Sequence, residues 1–231
     1  MNAMKRLTCV VATAASAFVG DAVAYTDEAV ADAEALLKTT TERAQRHEAS
    51  AQEVSIARYH LLEMEAGSGK LSSEAFCAQA RAELQKMATA GGDEPVKAEI
   101  GRRAGKMTTS PELCRQAIAD VDAYLFGGDP PAKTDDDVKE AEKAAEEARR
   151  RYKAQDLDRT AATLAEIRGL EAPYTAGKIT REAYCTSGQG ALLADFADWV
   201  QTQAQFGQAG LLGLIVAKRR LFQFKALCQA K

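Results

Sequence analysis

Five cysteines, two histidines and one Gly-Ser-Gly-Lys turn are the reactive or ligand-binding groups that stand out in this 231-residue chain. Cys9 stands near the N-terminus; Cys77, Cys114, Cys185 and Cys228 form two successive pairs, 37 and 43 residues apart. A redox-active pair needs its thiols about two residues apart, with one held at a low pKa. A zinc site needs a similarly short spacing. Neither spacing occurs, so the cysteines read as structural disulfides. His47 and His60 belong to no Cys-x-x-Cys-His or His-Glu-x-x-His pattern. Gly67-Ser68-Gly69-Lys70 resembles the end of a phosphate loop, but Leu71 follows the lysine where Ser or Thr is required. The expectation is therefore a chain with no catalytic residue, no metal site and no cofactor, and not an enzyme.

Residues 1–24 carry the order of a secretory signal peptide. A basic head with Lys5 and Arg6 precedes the apolar stretch Leu7 to Gly20, and Ala22-Val23-Ala24 supplies the small residues of a cleavage site. An even set of four cysteines in an exported chain then predicts two disulfides in an oxidising, periplasmic or secreted setting. Without those 24 residues the chain keeps 28 basic and 32 acidic residues. Tyr25 to Gly128 holds 12 basic and 17 acidic residues, Asp129 to Lys231 16 and 15. Neither half concentrates positive charge, which argues against nucleic acid as a partner.

The sequence around these residues comes in two copies. A shift of 108 residues lays Thr26-Asp27 on Thr134-Asp135 and Leu62-Glu63 on Leu170-Glu171. The clearest match is the block Gly69 to Cys77 over Gly177 to Cys185, with five of nine positions identical. This predicts a tandem duplication: repeat unit 1 over 25–128, ending in Gly127-Gly128, a proline-containing linker at 129–134, and repeat unit 2 over 135–231. Since each ancestral unit closed on itself, the pairing expected is Cys77–Cys114 and Cys185–Cys228. Each bridge would restrict the unfolded chain by roughly 3–4 kcal/mol.

Both units read as all-α, built from long antiparallel helices of a disulfide-stapled bundle. Val30, Ala33, Leu37, Thr40, Ala44, His47 and Ala51 follow a three-four spacing. With no Gly or Pro between Thr26 and Ala66, the expectation is one helix of about 60 Å. Its counterpart is expected from Asp135 to Glu171, stopped by Pro173. The Gly-Lys blocks read as turns followed by Ser72, Ser73 or Thr180 as helix caps, and Ser110-Pro111-Glu112 as a further helix start. Glu63, Lys70 and Glu74 recur as Glu171, Lys178 and Glu182, a recurrence read here as support and solvation of a turn.

The C-terminal stretch is the most unusual. Gly210 to Ala217 is apolar all round, Lys218-Arg219-Arg220 follows, and Phe196, Trp199, Phe206, Phe222 and Phe224 gather nearby. These residues are the candidates for partner or ligand contact. The segment is too short to span a bilayer. It would serve either as a buried last helix or as an amphipathic surface for an anionic membrane or a partner. The functional expectation is a protein-binding scaffold, adaptor or assembly component with an unidentified extracytoplasmic protein partner. The alternatives are a carrier of a small apolar ligand and a helical periplasmic chaperone. A long apolar stripe also allows a homodimer.

Overall fold

The computed structural model describes residues 25–90, 94–106, 111–126, 132–206 and 210–229. The signal-like segment 1–24 and residues 129–131 of the linker lie outside the described residues. Every regular element among those described is a helix. No described helix is long and apolar enough to cross a membrane.

The expected 60 Å helix is two helices. α1 (Asp27–Gln45) and α2 (Ala51–Gly67) form a hairpin, which the chain turns with His47 in the left-handed region at φ 59°. Neither Gly nor Pro marks this turn. Its signal is the capping box at Ser50: the Glu53 amide donates to Ser50 Oγ at 3.1 Å and the Ser50 amide donates to the Glu53 carboxylate at 2.7 Å. The hairpin brings its ends together, so that the Tyr25 amide donates to the Gly67 carbonyl at 3.1 Å and Lys70 reaches Asp27 at 2.8 Å.

The second half departs from expectation in the same way. α6 (Asp135–Lys153) and α7 (Arg159–Thr175) are joined through Gln155, also at φ 59°, with Asp158 capping α7. Pro173 does not stop α7 but lies inside it. Close to the helix end, a proline forfeits one backbone hydrogen bond and interrupts nothing downstream. Lys178 pairs with Asp135 as Lys70 does with Asp27.

The rest of each half differs. α3 (Ser73–Thr89), capped by Ser72, runs 17 residues; α8 (Arg181–Cys185), capped by Thr180, runs five before Gly188 turns the chain into α9 (Gln189–Gln205). α4 (Glu94–Ala104) and α5 (Pro111–Phe126) complete the first half, α10 (Leu211–Gln229) the second. The disulfides join Cys77 to Cys114 and Cys185 to Cys228, with Cα atoms 6.1 and 5.6 Å apart. They tie α3 to α5 and α8 to α10.

α10 explains its own composition. Its Leu211 and Ile215 enter the core of α2, α3, α4 and α5. Its Leu214, Ala217 and Phe224 pack with Ile167, Leu193 and Phe196 of α7 and α9. Its Phe222 packs on Ala29, Val30 and Ala33 of α1 and Met64 of α2. A helix covered from all these sides needs apolar residues around its whole circumference. α10 is therefore a shared beam, and the two halves pack together around it.

Candidate functional site

Three consecutive cations in the middle of α10 cannot share one face, because successive helical residues point about 100° apart. Each finds a different helix. Lys218 donates to Asp32 of α1 at 2.5 Å, Arg219 pairs with Glu63 of α2 at 3.0 Å and Asp122 of α5 at 2.6 Å, and Arg220 meets Glu171 of α7 at 3.0 Å. Further along, Lys225 reaches Glu28 of α1 at 2.9 Å. The basic head of the C-terminal segment thus faces inward. The carboxylates that receive it come from four helices of both halves.

The centre of this arrangement is Arg219. Its side chain is 13% exposed, its guanidinium lies 4.6 Å over the Phe126 ring, and one of its nitrogens serves both Glu63 and Asp122. Tyr59, fully buried, donates its hydroxyl to Asp122 at 2.8 Å. Glu63 and Asp122 therefore meet at one guanidinium nitrogen, and two buried carboxyls so close together repel unless one keeps its proton. Burial pushes Asp122 up to about 7, against the pull of Arg219 and with the help of the Glu63 charge. Burial likewise raises Glu63.

His60 is also fully buried beside these groups. Burial, followed by the Arg219 charge, lowers it to about 3, so it is neutral near pH 7. Burial pushes Tyr25 up to about 12 and raises Tyr59 well above the usual range. Five buried polar atoms of the cluster have no hydrogen-bond partner among the described protein atoms: Asp32 Oδ2, both ring nitrogens of His60, Glu63 Oε2 and Arg219 Nη1. Such atoms cost about 1–3 kcal/mol each when left unpaired.

The second half has a simpler version. Glu171 takes Arg220 on one oxygen and the Gln189 amide at 3.4 Å on the other, and burial raises it. Tyr184 stacks on Tyr174 at 4.6 Å between ring centres. Glu63 and Glu171 therefore do not solvate turns, as their recurrence had suggested. They are acceptors, Glu63 buried and Glu171 half-buried, for neighbouring arginines of one helix. Lys70 and Lys178, by contrast, do sit at their turns.

The aromatic candidates are mostly interior. Phe196 is buried and stacks on half-buried Trp199 at 6.3 Å, which Arg159 covers at 4.9 Å. Phe224 meets the Tyr184 ring edge-on at 5.5 Å, and Phe222 is buried against α1. Phe206, at the end of α9, is 73% exposed. A hollow of about 630 Å³ opens beside the α1–α2 turn, bordered by His47, Arg58 and Lys86. Its cations already share Glu83, Lys86 at 2.7 Å and Arg58 at 3.8 Å. Among the described residues, no group of three His, Cys, Asp or Glu is placed to hold a metal.

Asp32, Tyr59, His60, Glu63 and Asp122 were not singled out together by the sequence. The one signal that pointed inward was the recurrence of Glu63 as Glu171. Compared with known protein families, curated proteins and solved structures, the chain matches none.

Proposed function

We propose that this chain is an exported, non-enzymatic helical scaffold that binds another protein outside the cytoplasm. Its halves, 25–128 and 135–231, descend in this reading from one duplicated, disulfide-stapled bundle unit with antiparallel helices. The duplication is supported by local devices that fall 108 residues apart: His47 and Gln155 at φ 59°, the pairs Lys70–Asp27 and Lys178–Asp135, and the acceptors Glu63 and Glu171. The two disulfides fit an oxidising compartment. The basic, apolar and small residues of 1–24 fit an exported precursor.

One observation carries the binding reading. The charged residues that face inward are engaged in locking two halves to one beam, while Phe206 is left 73% exposed at the α9 end. Leu212, 40% exposed, stands at the start of the helix that follows. A rigid body that presents an aromatic side chain suits an anchor for another protein's pocket.

The test is photo-crosslinking in the native host, with a benzophenone amino acid in place of Phe206 and a control at Lys139. A protein adduct specific to position 206 supports the scaffold. Free thiols in the isolated protein, or no adduct at position 206 beyond that at the control, count against it. A small-molecule adduct would replace it with a carrier.

A further inference from the structure

The buried cluster at the α10 joint has an unequal count of charges. The titratable and charged groups facing Asp122 and Glu63 are Tyr25, Asp32 of α1, Tyr59 and His60 of α2, and Lys218 and Arg219 of α10. Lys218 is matched by Asp32. Arg219 must answer for both Glu63 and Asp122. His60 is neutral and the tyrosines keep their protons, so nothing else supplies positive charge. Ionising all three carboxylates would leave one uncompensated negative charge inside the joint, which a low-dielectric site resists strongly.

We propose that Glu63 and Asp122 share one proton beneath Arg219, and that losing it to solvent loosens α10 from α1, α2 and α5. The joint between the two halves then opens as pH rises. The shared proton is placed by geometry: both carboxyls touch the same guanidinium nitrogen, Glu63 at 3.0 Å and Asp122 at 2.6 Å, and Tyr59 donates a hydrogen bond to Asp122. The fold also supplies the hinge. Cys185–Cys228 keeps the far end of α10 on α8, so α10 can leave the first half without leaving the second. The sign follows from linkage. Asp122 binds its proton more tightly folded than unfolded, rising from 3.8 to about 7, so the stabilisation is full below the unfolded value and is lost as pH rises through about 7. Arg219, held further up by Asp122 and Glu63, is a cation throughout this range, and His60 is uncharged across it, so neither reverses the sign.

The experiment is amide hydrogen exchange on the oxidised full chain at about pH 5 and about pH 8.5, each rate divided by its intrinsic value. Protection of α10 and α5 should fall about tenfold or more between the two, relative to α6, which packs chiefly on α7 and away from the cluster. Asp122→Asn keeps an acceptor for Tyr59 and carries no charge, so it should abolish the fall. Glu63→Gln should do the same, which keeps the test usable if the first variant misfolds. A fall shared equally by α6, no fall, or a fall that persists in both variants overturns the proposal.

Discussion

The hairpins α1–α2 and α6–α7 start from matching sequence devices and end in different surroundings. Each begins with a threonine cap, turns through a left-handed non-glycine residue and returns to a lysine that pairs with the first aspartate. Each carries a stripe at helical spacing: Val30, Ala33, Leu37 and Thr40 in α1, Val138, Ala141, Ala145 and Ala148 in α6. In α6 the stripe is nearly all alanine, and it lies so close to α7 that a side chain at Gly169 would sit 2.9 Å from the Ala145 methyl. Yet α1 is covered a second time, by α10, whereas α6 packs chiefly against α7.

The difference is written on one face. Where α1 has Ala29, Asp32 and Leu36, α6 has Asp137, Glu140 and Ala144, all exposed. Ala29 and Leu36 pack in cores and Asp32 holds Lys218. On the counterpart face a carboxylate stands in place of the Ala29 methyl, and a lone methyl in place of the Leu36 side chain. The acid at the middle position is kept, but no cation of α10 comes to meet it. A helix can thus keep its seam and lose its second contact by giving up two apolar groups. The seam is a contact within the hairpin, while the second contact depends on a distant helix.

The largest contrast between the halves should appear at their arginines. Arg219→Met leaves Glu63 and Asp122 buried without their cation and should cost about 3–5 kcal/mol in urea unfolding. Arg220→Met should cost less, since Glu171 keeps Gln189 as a partner. Equal losses would mean that the two arginines are equivalent and the Arg219 cluster is not special.

A smaller effect separates the two outer faces. Asp32→Asn weakens a partly buried pair with Lys218 and should cost about 1–3 kcal/mol, whereas Glu140→Gln at the matching place should stay within about 0.5 kcal/mol. Thermal melting of the two variants side by side reads this directly. If Glu140→Gln proves as costly, α6 has a second contact after all.

The smallest effect tests what the hairpins share. Ser50→Ala and Asp158→Ala each remove one N-cap and should each cost about 1 kcal/mol. Ser50 belongs to a full capping box and Asp158 makes a single capping bond, so circular dichroism melts should place Ser50→Ala slightly lower. The reverse order would show that the α6–α7 turn, with less tertiary cover, depends more on its cap.

Much of the fold was legible because its signals are local. Helix caps at Ser72 and Thr180 act within three residues. The cysteine pairing followed from parity and from the recurring block around Cys77 and Cys185. The turns at His47 and Gln155 were missed, since neither residue advertises a left-handed backbone, although Ser50-x-x-Glu53 did mark the helix start behind the first. The role of Glu63 was missed for a different reason. A glutamate on a helix looks the same in sequence whether water or a buried arginine faces it.

Residue type and spacing along short stretches of chain were enough for the helical class, the caps, the cysteine pairing and the apolar girth of α10. Packing, by contrast, settled that α10 is shared by both halves and that its three cations are answered by Asp32, Glu63 with Asp122, and Glu171. It also set one guanidinium against two carboxyls. Those outcomes depend on which helices meet across separations of 49 to 186 residues, and the free energy of a buried charge is set by what it meets there.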